Sequence, residues 1–117
     1  MSVSFDSLGL RAEFGEALAQ MGYDEMTPIQ AEALPAMLTG RDVTGQARTG
    51  SGKTAAFGLA LLHGIEPQRM AVQSLVLCPT RELAEQVATE LRRLAQRLAN
   101  TRILTACGGR PFRDQKL

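Results

Sequence analysis

The chain has 117 residues, 44% hydrophobic and 21% charged, enough for one globular domain and one core but not for two. Its 13 basic and 12 acidic residues give a formal charge of +1, which excludes a general polycation that coats nucleic acid by charge alone. No apolar stretch is long enough to span a membrane and no signal-peptide pattern is present, so the expected compartment is the cytoplasm.

From Ser7 to Met21 the apolar residues Leu8, Leu10, Phe14, Ala17, Leu18 and Met21 fall mostly at helical spacings, and Gly22 offers a stop. That pattern predicts a first helix. Thr27 followed by Pro28 has the form of an N-cap and first helical position. Ile29, Ala33, Leu34, Met37 and Leu38 then carry a second helix to Gly40, with a kink or break expected at Pro35. Asp42 to Gln46 is assigned a strand from its position ahead of a glycine-rich turn holding Gly50 and Gly52, and Lys53 to Leu62 a helix packed on a sheet.

Ser74 to Cys78 is a continuous apolar run, as expected for a strand covered on both faces. Pro79 to Ala99 predicts a long helix, because Leu83, Val87, Leu91, Leu94 and Leu98 are four, four, three and four apart. Arg92, Arg93 and Arg97 fall between them and are placed on a solvated side. Arg102 to Ala106 predicts a third strand, ended by Gly108 and Gly109. Cys78 and Cys107 each end an apolar run and form no metal-ligand set, so they read as reduced, buried, small hydrophobes. Strands alternating with helices predict a three-layer α/β fold with parallel strands.

Ala47-Arg48-Thr49-Gly50-Ser51-Gly52-Lys53-Thr54 matches the phosphate-binding loop G-x-x-x-x-G-K-S/T except at its first position, where Ala47 replaces glycine. Gly50 and Gly52 can adopt backbone angles that turn consecutive N–H groups towards a polyphosphate, and the following helix adds its own unpaired N–H groups. Lys53 is expected to reach the β- and γ-phosphates, and the Thr54 hydroxyl to bind Mg²⁺. Such a loop does not specify the nucleotide. Upstream, Gly22-Tyr23-Asp24-Glu25-Met26-Thr27-Pro28-Ile29-Gln30 supplies an aromatic face and an amide that matches the donor and acceptor on adenine. Taken alone, Gln30 reads equally as a solvated helix residue, and Arg81 as a surface arginine paired with Glu82 or Glu85. His63 sits near a helix end, reads as solvated or stabilised by the helix dipole, and is given no catalytic role.

Together with the phosphate loop, the Gly22–Gln30 segment resembles the Q motif of the DEAD-box RNA helicases, including the isolated aromatic Phe5 seventeen residues before Gly22. Pro79-Thr80-Arg81-Glu82-Leu83-Ala84 resembles motif Ia of that family, and Gly108-Gly109 the glycine pair that follows it. The resemblance implies a truncated, RecA-like P-loop NTPase domain over residues 1–117. It implies that ATP or ADP with Mg²⁺ is held by Tyr23, Thr27, Gln30, Thr49, Gly50, Ser51, Gly52, Lys53 and Thr54. It further implies that Pro79, Thr80, Arg81, Gly108 and Gly109 meet RNA through its backbone, without base specificity.

The family's Asp-Glu-Ala-Asp and Ser-Ala-Thr segments and its second RecA-like domain are absent from these residues, so the chain by itself is expected to be inactive as an ATPase. The alternatives are a non-catalytic nucleotide- or RNA-binding module and an inactive truncated product. The strand near Val43 would also lack its later neighbours, and its unpaired backbone predicts self-association, strand exchange or a loosely held phosphate loop.

Overall fold

Side chains cap the starts of some helices, and backbone N–H groups close their ends. A computed structural model describes residues 3–48, 50 and 52–107. Strand β1 (Val3–Ser4) leads into a 3₁₀ turn, Phe5–Leu8, started by the Ser4 hydroxyl accepting from the Asp6 N–H at 3.1 Å. Helix α1 (Ala12–Gln20) follows, shorter than the predicted span because its first part is the 3₁₀ turn closed by Gly9 at φ 68°. Strand β2 (Glu25–Met26) returns antiparallel to β1, with Val3 opposite Met26 and Ser4 opposite Glu25.

Helix α2 (Pro28–Leu38) starts at Thr27 as the sequence predicts. Pro35 lies inside it on the exposed side and does not end it, since buried Ala33 and Leu34 hold the helix to the core on the other face. Helix α3 (Lys53–His63) and helix α4 (Arg81–Leu94) complete the set, and α4 begins with the Thr80 hydroxyl accepting from the Leu83 N–H at 3.1 Å.

The core is a helix layer in which Phe14 of α1, Leu34 of α2, Leu59 of α3 and Leu94 of α4 are fully buried. Helix α3 lies between α2 and α4. Gly58 makes the α3–α4 approach possible, because a Cβ there would stand 2.7 Å from Leu91 Cδ2 and 3.0 Å from Leu94 Cδ1. Past the end of α4, Arg97 bonds Glu16 of α1 at 2.7 Å, and Arg11 donates to the Ile65 carbonyl at 2.6 Å. Arg92 donates to the Ile103 carbonyl at 3.0 Å. Two of the three arginines expected on a solvated face therefore tie segments together.

The three expected core strands take a different form. Residues 42–46, 74–78 and 102–106 make no ladder among the described residues, and the one sheet described is the β1–β2 pair. Residues 74–78 still alternate as a strand would. Val76 and Cys78 pack on the helix layer, while Leu75 and Leu77 are 77% and 85% exposed. The run is covered on one face, not two. Cys78 and Cys107 are accordingly half-buried and in no disulfide, less enclosed than the sequence reading expects. His63 also differs from its solvated expectation: its Nδ1 is buried without a hydrogen-bond partner, and its ring lies 6.4 Å from that of Phe14.

Candidate nucleotide and RNA sites

The phosphate loop ends at Gly52, which caps α3 with φ 88°, and Gly50 has φ 82°, a left-handed conformation open to glycine at low cost. A side chain at Gly52 would also run into the Gln30 amide nitrogen and come within 3.2 Å of Thr27 Oγ1. The second glycine is therefore required twice, by its backbone angle and by its neighbours.

Gln30 is the one fully buried polar side chain among the described residues, at 1% exposure. Its Oε1 accepts from the Thr27 N–H at 2.9 Å, the side-chain half of a capping box at the start of α2. Its Nε2 donates to the Gly52 carbonyl at 3.1 Å. One amide thus caps α2 and fastens it to the residue that caps α3. Thr27 Oγ1 beside it is buried; it faces the Gln30 N–H in the other half of the box, and its hydroxyl proton has no acceptor.

Lys53, at the first position of α3, is exposed, and its Nζ donates to the Ala47 carbonyl at 2.7 Å, bridging the loop's two ends. Two further donors remain on the ammonium. Thr54 is half-buried and, with Lys53, lies at the wall of a groove of about 750 Å³ that runs between α2, α3 and residues 75–78. Thr49 and Ser51 lie outside the described residues, as do Gly108 and Gly109.

Tyr23 stands apart from this cluster. Its ring is half-buried against the core and its hydroxyl donates to Glu90 Oε1 of α4 at 2.8 Å. It lines a second cavity of about 440 Å³ with Met21 and the α4 residues Glu85, Gln86, Thr89, Glu90 and Arg93, to which neither Gln30 nor the phosphate loop contributes. Burial raises the Tyr23 pKa above its ordinary value, the Glu90 hydrogen bond and charge raise it further, and Arg93 opposes them.

On the other side, Pro79, Thr80 and Arg81 are exposed where an extended segment meets α4, with Thr80 Oγ1 engaged in the cap. Of the residues singled out in the sequence, Thr27, Gln30 and Gly52 meet in the structure, Lys53 follows Gly52 at the start of α3, and Glu90 is a partner that the sequence reading does not reveal. Glu90 is 67 positions from its partner Tyr23, and nothing in its local sequence distinguishes it from the other glutamates of α4.

The DEAD/DEAH box helicase family model matches residues 27–117. The ATP-dependent RNA helicase DbpA of Escherichia coli is 65% identical over 99 residues, covering 85% of this chain and 22% of that protein. The ATP-dependent RNA helicase DeaD of Klebsiella pneumoniae is 49% identical over 93% of this chain and 17% of its own length. Among solved structures, a DEAD box protein from Methanococcus jannaschii superposes with a TM-score of 0.89 at 33% identity, covering 98% of this chain and 32% of that one. Prp28 from Chaetomium thermophilum, bound to ADP, gives 0.84 at 38% identity, over 96% and 28%. S. cerevisiae Dbp5, bound to RNA and ADP BeF3, gives 0.77 at 35% identity, over 86% and 26%.

The fold is thus part of a RecA-like, P-loop α/β domain. The chain belongs to the DEAD/DEAH box helicase family. It spans about a fifth of the length of the curated relatives, 22% of DbpA and 17% of DeaD. No described helix is long and apolar enough to cross a membrane.

Proposed function

We propose that residues 1–117 are the N-terminal, ATP-binding part of the first RecA-like domain of a cytoplasmic DEAD-box enzyme that couples ATP to the opening of RNA duplexes. The observation that carries this reading is the bond from Gln30 to the Gly52 carbonyl, which joins the base-side segment to the phosphate loop. A primary amide offers two N–H donors and two oxygen lone pairs. Gln30 uses one of each on Gly52 and Thr27, and the remaining pair matches N7 and the N6 amine of adenine. Because Gln30 is 1% exposed in this arrangement, reading a base requires that it first be uncovered.

In this reading Thr27 supports the pocket and residues 49–54 receive the phosphates, whereas Tyr23, turned to Glu90 in a separate cavity, is left out of base contact. Lys53 exchanges the Ala47 carbonyl for phosphate oxygen, a stronger charge-assisted partner. The buried Thr27 hydroxyl, whose proton has no acceptor, and the exposed Lys53 fit a polar ligand at this place. Thr54 is the chain's own ligand for Mg²⁺, which when bound neutralises phosphate charge. Pro79, Thr80 and Arg81, with Gly108 and Gly109, meet RNA phosphates without reading sequence. By itself the chain turns over no ATP, since it lacks the family's later acidic metal ligands.

Titration calorimetry of the chain with ADP and Mg²⁺ tests the reading. Binding that Lys53→Ala and Gln30→Ala each weaken by at least tenfold is expected, with no phosphate release from ATP in the presence of RNA. A folded chain that binds no ADP would remove the nucleotide assignment, and RNA-stimulated turnover would remove the claim of inactivity.

A further inference from the structure

The Tyr23–Glu90 hydrogen bond joins two regions that the reading above assigns to different ligands. Tyr23 belongs to the segment that ends in Gln30, and that segment is bound on to Gly52 and the phosphate loop. Glu90 belongs to α4, whose first turn carries Thr80 and Arg81. From Glu90 back to Arg81 is nine residues of unbroken helix, a rod of roughly 14 Å at 1.5 Å per residue. The contact is short at 2.8 Å, half-buried, and made to a carboxylate that helps line a cavity beside Arg93. The Tyr23 backbone is fixed too, since its N–H donates to the Leu18 carbonyl at 2.9 Å. A displacement of the 22–30 segment therefore pulls on α4 through one named bond.

We infer that Tyr23 is a positioning residue whose hydroxyl, held by Glu90, links the nucleotide-side segment to the helix that presents Thr80 and Arg81, so that occupancy of one site is felt at the other. The inference rests on the nucleotide and RNA assignments made above. Tyr23→Phe keeps the ring and removes the link. Glu90→Ala removes the acceptor, and Glu90→Gln retains one.

The test is ADP·Mg²⁺ titration of the chain with and without a saturating oligouridylate. Its readout is the ratio of the two affinities, which cancels any change in ADP binding itself. The wild-type ratio is expected to be about fivefold or more, a usual size for coupled sites. Tyr23→Phe and Glu90→Ala should each bring it near one, the double variant should go no further, and Glu90→Gln should restore most of it. An unchanged ratio in Tyr23→Phe, or a wild-type ratio of one with both ligands bound, overturns the inference. If the wild type binds neither ligand, the functional reading fails first. The link is then judged by amide exchange on the free chain. Tyr23→Phe must raise exchange over residues 22–26 by roughly tenfold, as loss of a bond to a charged group implies, and unchanged exchange there overturns it.

Discussion

At Gln30 a single side chain does two structural jobs that sequence motifs describe separately. Removing it in Gln30→Ala leaves the Thr27 N–H and the Gly52 carbonyl without their partners in a buried place. Unfolding in urea should show a loss of about 1–3 kcal/mol, the usual cost of stranding buried polar groups. A variant as stable as the wild type would show that other groups replace the amide. Tyr23 offers a second residue-level test, because it is the one tyrosine and there is no tryptophan, so ultraviolet absorbance reports on it alone. Its pKa is raised in the folded chain, so folding favours the protonated phenol. That contribution is whole below the ordinary value of 10.0 and is lost as pH rises through the higher folded value. The phenolate absorbance of the native chain should therefore appear at higher pH than in urea. Glu90→Ala should shift the native titration back towards the ordinary value.

Among the helices, α3 and α4 meet where Gly58 lets Leu91 and Leu94 come close. Alanine would favour the isolated helix by about 1 kcal/mol, yet its methyl group would need space already filled by two buried leucines. Overpacking of this kind costs about 1–3 kcal/mol, so Gly58→Ala should lower stability despite better propensity. Thermal unfolding decides the sign, and a raised midpoint would show that α4 can shift without loss. Helix α4 also depends on its first residue outside. Thr80→Ala removes the acceptor for the Leu83 N–H and should cost about 1 kcal/mol, with fraying seen as faster exchange in the first turn.

The described residues form a helix layer that leaves an apolar strand-like run exposed on one face. Leu75 and Leu77 stand 77% and 85% exposed beside extended backbone that makes no ladder among the described residues, a combination that favours pairing with another strand. We expect the 117-residue chain to associate as its concentration rises, seen by sedimentation velocity. Leu75→Lys with Leu77→Lys should disperse the association while changing stability by less than about 0.5 kcal/mol per site, since little is buried there to lose. A wild type that stays monomeric throughout would contradict this.

Helix positions were legible because their signals are local: proline after Thr27 and the leucine spacing through Leu94. The phosphate loop was legible for the same reason, since its glycines and lysine lie close together in the chain and glycine adopts the φ values found at Gly50 and Gly52 at low cost. Strands are different. The apolar run at 74–78 states a preference, but a ladder requires hydrogen-bonded partner backbones, and the described residues form none there. Contacts between distant positions were equally silent in the sequence. That Gln30 should meet Gly52, Arg92 the Ile103 carbonyl, and Tyr23 Glu90 depends on how α2, α3 and α4 pack. The sequence by itself determined the motifs and the helices, which need neighbours a few residues away. Only the tertiary structure decided which of those motifs share a hydrogen bond, because that depends on packing between segments far apart in the chain.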